Sequence, residues 1–397
     1  MHSGSTRDNE TGLELFIAYV IIEGCLDFDC KRAFIVGGGF SSYAGLPLTG
    51  EFTNALVSAR DPANGRSYVL VQHLVKFVES TFGHTLSSLE KWPTLEDLFT
   101  CIDLAANSGH HLGNQYSAAD LRTVRRCLIA RITRMLERRH QKAGEKKNDK
   151  WKALKLLLCN VDYVSSAFVN MNWDDVVERR FLTIHSEKDA GVDYGCNAIR
   201  ARVTTDKQFL PMKRGEGPTL SIAKIHGSIN WLYCDNCQQV FWLQPGAGNH
   251  ISDRLLSARE WSEIAPTKKY TIKPWKCTFC KKVILSTRLA TFSYRKALDF
   301  PMFQKSWFTA EYLLRRAETW AFIGYSLPPA DYEFKYLLKR IQLSRRTPPR
   351  IVLVTGGTEA SATYRNYERF FGQELKVGTN CFLEGLDAKS TECLLHY

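Results

Sequence analysis

The apolar positions of the chain change period several times, and those changes mark its elements. Ala33 to Val36 is a charge-free run of β-branched and aromatic residues and reads as a short buried strand. Comparable runs return at Tyr163–Val169, Leu220–Ile225, Thr319–Ile323 and Arg350–Val354. Helical spacing separates several of them, at Asp175–Leu182, Lys305–Arg316 and Asp331–Leu343. Strands alternating with helices predict an α/β fold, a mostly parallel sheet covered on both faces. Between Glu51 and Leu158 the pattern is helical instead. Tyr68–Phe82 and Thr94–Ala106 carry the helical period, as do Leu121, Val124, Leu128, Ile132, Met135 and Leu136, with Arg122, Arg125, Arg126, Arg131, Arg134, Arg138 and Arg139 on the other faces. Lys142–Lys152 is polar and charged and reads as a loop. The whole block interrupts the alternation, so it reads as a helical insertion.

Composition narrows the class. The chain has 397 residues, 44% hydrophobic and 24% charged, enough for two or three structural units around a substantial core. The apolar run Leu15–Ile22 lies between Glu14 and Glu23 and falls short of the ~20 residues a membrane span needs. It has no basic leader and no small-residue cleavage site, so a helix packed against the sheet is the reading. Twelve cysteines at irregular spacing do not make a secreted disulfide scaffold and fit a reduced, cytoplasmic compartment. Net charge is +12, and Leu121–Lys155 holds thirteen lysines and arginines against three acids, a local excess of +10. A solvated helix face is one account of that excess; a surface for nucleic acid or another acidic partner is the other.

Candidate chemistry sits where the predicted strands end. After Val36 come Gly37, Gly38 and Gly39, then Ser41 and Gly45, with a helix able to start near Ser41. Strand, glycine turn and helix N-terminus is a geometry that holds a pyrophosphate, although glycine triplets also occur in ordinary turns. Asn172, Asp174 and Asp175 follow a second strand; either Asp174 or Asp175 caps the next helix, or Asn172 orients a water or sugar hydroxyl with Asp174 behind it. His226, with Gly227 behind it, ends a third, as a structural histidine or a general base. Gly324-Tyr-Ser326 and the Gly356–Gly357 pair close two more and are either plain turns or nucleotide contacts. Cys234-x-x-Cys237 and Cys277-x-x-Cys280 lie 39 residues apart, and two such pairs suit a closed tetrahedral zinc site better than redox chemistry.

Together and in this order, these motifs resemble the sirtuin superfamily, and more closely its divergent NAD+-hydrolysing branch found in bacterial anti-phage defence. Gly37 to Pro47 is similar to the family's GAGxSxxxGIP loop, with Gly38 in the alanine's place. Asn172-Trp-Asp174 is similar to its Asn-x-Asp motif, His226-Gly227 to its His-Gly, and Gly324-Tyr-Ser326 to its Gly-x-Ser; the knuckles fall where the family carries zinc. The resemblance implies a Rossmann-like sheet with a helical insertion and a small zinc-ribbon module. The Rossmann-like parts fall at 1–50, 158–233 and 286–397, the basic insertion at 51–157 and the zinc module at 234–285. It also implies catalytic roles for Asn172 and His226. Gly37, Gly38, Gly39, Ser41, Gly45, Asp174, Gly324, Ser326 and Gly356 would bind NAD+. Gating would come through a homo-oligomer or through a partner ATPase or nuclease. The family's Asp-Phe-Arg is replaced by Leu48-Thr-Gly50, Met171 stands where deacylating members carry Gln, and no Phe-Gly-Glu segment follows the second knuckle. The expectation is hydrolysis of NAD+, with deacylation or non-catalytic NAD+ or ADP-ribose sensing as alternatives.

Overall fold

The computed structural model describes residues 29–58, 65–145, 149–268, 270, 272–281, 284–290, 300–359, 361–372 and 374–396. The helix expected at Leu15–Ile22 lies outside them. A seven-stranded parallel sheet forms the centre. Its strands are β1 (Arg32–Val36), β2 (Ser166–Asn170), β3 (Gly191–Asp193), β6 (Thr219–Lys224), β9 (Thr319–Ile323), β10 (Arg350–Val354) and β11 (Cys381–Phe382), in the spatial order β11-β10-β9-β1-β2-β6-β3.

Side-chain parity explains why these strands read as unbroken apolar runs. Phe34, Val36, Phe168, Ile222, Ala321 and Val352 face one core with the helical insertion. Ala33, Ile35, Val169, Ala223, Phe322 and Leu353 face a second core with α10 (Pro301–Arg316), α11 (Tyr332–Ser344) and α12 (Ala362–Phe371). Both faces are buried, so no polar alternation survives in the sequence. Register then decides where the loops begin. Val36 is level with Asn170 and with Ile323, Asn170 with Lys224, and Ile323 with Val354. Five strands therefore end side by side.

The remaining helices are α1 (Gly38–Ser42), α2 (Phe52–Ser58), α3 (Arg66–Phe82), α4 (Leu95–Ser108), α5 (Ala118–Glu145), α6 (Asp149–Asn160), α7 (Val176–Ile184), α8 (Gly248–Arg254), α9 (Ala258–Ile264) and α13 (Ala388–His396). The charged stretch expected as a loop at Lys142–Lys152 is helical at both ends, because α5 runs on to Glu145 and α6 starts at Asp149. Among the described residues no helix is long and apolar enough to cross a membrane.

The expected basic face of α5 turns largely inward. Arg131 is 1% exposed and donates to the Leu56 carbonyl at 2.7 Å and to Ser67 Oγ. Arg125 pairs with Asp103 at 2.7 Å, Arg126 with Glu260, and Arg134 with Asp253 while donating to Ser252 Oγ at 2.9 Å. The helix is surrounded by α3, α4 and α8 rather than lying on a surface. Long arginine stems let each head reach an acid or carbonyl on a neighbour. Much of the local +10 is thus neutralised by acids distant in sequence.

A second sheet was not expected. β4 (Ile199–Val203), β5 (Phe209–Pro211), β7 (Trp231–Tyr233) and β8 (Val240–Leu243) form it in the order β5-β4-β8-β7, so the cysteine-bearing module extends well upstream of the first knuckle.

Candidate active site

The chain places β2, β6 and β3 to one side of β1, then returns to place β9, β10 and β11 on the other. The reversal between β1 and β9 is a topological switch point, where open parallel sheets bind ligands beyond their carboxyl ends. A cleft of about 800 Å³ lies there, within the usual range of ligand sites. Gly37, Gly38, Gly39, Asn172, His226, Gly324, Ser326 and Gly356 line it.

Its β1/β9 side is made of backbone. The Gly39 N–H donates to the Gly324 carbonyl at 2.8 Å. A Cβ on Gly37 would lie 2.7 Å from Tyr325 Cα, and one on Gly39 would lie 2.7 Å from Gly324 Cα. Gly324 has φ +60°, and a Cβ there would meet the Phe40 nitrogen at 2.1 Å. These three glycines let two loops touch. A Cβ on Gly38 would meet nothing within 4 Å, so of the three consecutive glycines this one faces open space, as Gly50 and Gly356 also do elsewhere in the cleft wall. The helix begins at Gly38 rather than near Ser41 and is only five residues long. Beyond Gly38 its early N–H groups are engaged, Gly39 as above and Phe40 and Ser41 donating to the Gly37 carbonyl at 3.0 and 3.4 Å. Three of the four helix-end donors expected from the sequence to be free are thus engaged. Gly45, at φ +77°, turns the chain after α1 and lies outside the cleft wall. Ser326 is exposed at the rim, and Gly356 bridges to Glu384, which also lines the cleft.

The β2/β6 side is made of side chains. Asn172 Nδ2 donates to Ser41 Oγ at 2.8 Å, and Ser41 Oγ donates to Asp174 Oδ2 at 2.6 Å. A hydroxyl has one proton. With that proton committed to Asp174, Ser41 can only accept from Asn172, which fixes the amide with Oδ1 turned away from Ser41. Ser41 and Asp174 are 3% and 5% exposed and stand behind the cleft wall, so their geometry suits orienting Asn172 rather than touching a ligand. Asp174 Oδ1 also accepts from the Val176 N–H at 3.2 Å, while Asp175, the N-cap residue of α7, makes no side-chain cap and accepts from Arg179 instead. Burial raises the Asp174 carboxyl above its ordinary range, opposed by Lys224 and by the Ser41 hydrogen bond.

His226 faces Asn172 from the end of β6. Its Nδ1 lies 3.1 Å from the Met171 carbonyl, an acceptor only, so Nδ1 carries the proton and Nε2 holds the lone pair. The Trp173 carbonyl accepts from the Ile229 N–H at 2.9 Å and from Ser228 Oγ at 3.3 Å, tying the Asn172 and His226 loops together. Lys224, two residues before His226, is fully buried, donates to the Asp174 carbonyl and lies 3.2 Å from Glu178. A lysine closing an apolar strand just ahead of Ile-His-Gly was the signal that could have flagged it. Glu96 and Lys150, from the insertion, reach the cleft as well, and nothing in their local sequence distinguishes them.

The four cysteines converge. Their sulfurs lie within 4.8 Å of one another, with Cys234 to Cys280 at 3.6 Å and Cys237 to Cys277 at 3.5 Å. A tetrahedron with Zn–S near ~2.3 Å sets its sulfurs ~3.8 Å apart, which this cluster fits. Both knuckles share one backbone form. Gln238 and Lys281, each just after the second cysteine, have φ +57° and +58° and donate to the carbonyls of Cys234 and Cys277.

No family model matches the chain, and no curated protein is similar to it. Among solved structures, a Sir2 homolog–NAD complex overlaps 100% of this chain and 94% of its own at 13% identity, with a TM-score of 0.36. A structure concerning the mechanism and regulation of Sir2 enzymes overlaps 96% and 93% at 12% identity and 0.34, and a Sir2–p53 peptide–NAD+ complex 86% and 86% at 13% and 0.28. None of these overlaps is close enough to bear on the chemistry, which is read from the site's own atoms.

Proposed function

We propose that this chain is a sirtuin-like NAD+ hydrolase, cleaving NAD+ with water to nicotinamide and ADP-ribose. The observation that carries the reading is the Asn172–Ser41–Asp174 relay, with Asn172 and His226 lining one cleft whose other side is built around the Gly37–Gly39 and Gly324 backbone. Gly38 would lie under the diphosphate, because a Cβ added there meets no other part of the fold within 4 Å. Asn172 Oδ1 would accept a hydrogen bond from the attacking water and aim its oxygen lone pair at the ribose carbon. As the bond from that carbon to the nicotinamide nitrogen breaks, positive charge develops on the ribose. The new carbon–oxygen bond forms, and the water's proton leaves to His226 Nε2, directly or through a ribose hydroxyl. Nicotinamide departs neutral, with the bond's electron pair on its ring nitrogen. The cysteine cluster, when it holds zinc, would supply a structural cross-link and no reaction step. Such an activity suits an NAD+-depleting effector of anti-phage defence, kept idle until assembly or a partner releases it.

The test is release of nicotinamide from NAD+ by the purified protein, with and without an acetyl-lysine peptide. Water alone should suffice. Asn172→Ala should lower kcat by about 10²–10⁴-fold while NAD+ still binds. Release that requires the peptide would instead make the protein a deacylase, and binding without turnover under any condition would make it a sensor.

A further inference from the structure

Beneath the Asn172 loop lies a set of buried charges that the proposed chemistry does not use. Glu137, on α5, is 1% exposed. Both of its carboxylate oxygens accept from Arg179 of α7, from Nη1 at 3.2 Å and from Nη2 at 2.5 Å. Arg179 Nε donates in turn to Asp175 Oδ1 at 2.7 Å. Asp175 is 3% exposed and is the residue at which the Asn172 loop turns into α7. Gln141 donates to Glu137 Oε1 at 2.9 Å. Gly248, the first residue of α8 between the knuckles, approaches so closely that a Cβ on it would lie 2.9 Å from Glu137 Oε2. The helical insertion, the inter-knuckle segment and the catalytic loop thus meet at one carboxylate.

The chemistry of that junction makes it stiff. A guanidinium fork held by two buried carboxylates has a fixed plane and fixed directions, and the 12% exposed Arg179 side chain has little water to exchange with. Removing one partner would leave an uncompensated buried charge, so the link resists opening. A displacement of α5 against the sheet is passed to Asp175 rather than absorbed. Asp175 adjoins Asp174, which orients Asn172 through Ser41. We propose that Glu137 and Arg179 are positioning residues for the Asn172 loop, so that the placement of the helical insertion sets the rate of turnover.

The kinetic part of this proposal rests on the NAD+ hydrolase reading, and its structural part does not, so two measurements separate them. Glu137→Gln keeps the volume but drops the charge; Arg179→Lys keeps the charge but loses the fork. In nicotinamide release, each should lower kcat about tenfold or more, as small misplacements of catalytic groups do, with the Kd for NAD+ held within about twofold. A purely structural pair would lower thermal stability and leave kcat of the folded protein unchanged, which overturns the proposal. Amide hydrogen exchange over residues 170–176 should accelerate in both variants while β9 and β10 stay protected. That arm needs no turnover. If wild type releases no nicotinamide, the hydrolase reading fails, yet unchanged exchange would still overturn the positioning role and faster exchange would still support it. Should Glu137→Gln not fold, Arg179→Lys is read by the same two measurements.

Discussion

The two sides of the cleft are built on opposite principles. Between β1 and β9 the wall is glycine backbone, and its shape comes from three places where no side chain fits. Between β2 and β6 the wall is side chains, and its shape comes from Asn172, Ser41, Asp174, Lys224 and His226 holding one another across long stretches of sequence. A surface without side chains offers close approach and little chemistry, which suits a diphosphate. A surface of oriented polar groups offers acceptors and proton carriers, which suits bond cleavage. Substitutions on the first side should act all or none, and those on the second by degrees.

The sharpest way to break that contrast is to compare neighbouring glycines. Gly39→Val places a side chain against Gly324 backbone that cannot move aside, and at φ +60° Gly324 has nowhere to retreat. Overpacking of this kind typically costs 1–3 kcal/mol and more when backbone is the obstacle, so this variant should lose both stability and NAD+ binding. At Gly38 the added Cβ meets nothing within 4 Å. The melting temperature of Gly38→Val should stay at the wild-type value while NAD+ binding is lost, because only the ligand's space is filled. Calorimetry with NAD+ beside thermal unfolding reads both. If Gly38→Val still binds NAD+, the diphosphate does not lie over this loop.

The sequence could not have drawn that distinction. Three consecutive glycines look alike until Gly324, nearly three hundred residues later, is packed against two of them. Five strands of the large sheet were legible because both their faces are buried, with Thr319–Ile323 and Arg350–Val354 expected at the very residues observed, whereas the edge strands β3 and β11, of three and two residues, were not. The small sheet was not, since β4 reads Ile-Arg-Ala-Arg-Val and β5 has three residues. The four cysteines were legible because metal ligands must repeat at short spacing. The arginines of α5 were misread as a face because their partners, Glu260 and Asp253, come from the segment between the knuckles. Ser41 was assigned to the ligand and proves to stand behind Asn172, a relation that only folding creates.

A smaller effect is expected from the knuckles, and it should fall on the polar side first. Cys234 directly follows β7, which the same loop joins to His226, whereas the glycine wall has no chain link of comparable length to the cluster. Metal analysis should give about one zinc per chain. Cys277→Ser should lower stability by roughly 2 kcal/mol or more, as loss of a metal ligand does. Turnover should fall before NAD+ binding does. A zinc-free wild type of full stability would refute the metal assignment.

The smallest effect is the most informative about the polar side, because it depends on one proton. Asp174 orients Asn172 only while its carboxylate accepts from Ser41; once protonated, its own O–H can donate and the relay loses its direction. Burial holds the pKa above the ordinary carboxylate range, so this loss should begin at higher pH than for an exposed aspartate. Stability runs the other way. A folded-state pKa above the unfolded one means that the proton binds the native state more tightly, so Asp174's contribution is fully present below the unfolded pKa and is lost as pH rises through the folded one. Glu178, raised by the same burial beside the same Lys224, adds in the same direction. Over the window between the unfolded and folded values, kcat should therefore fall with falling pH while these two groups stabilise the fold, which separates the effect from acid denaturation. Asp174→Asn should be slower throughout and should lose this fall of kcat with falling pH. The same fall in Asp174→Asn as in wild type would mean that Ser41 does not set Asn172 through this carboxylate.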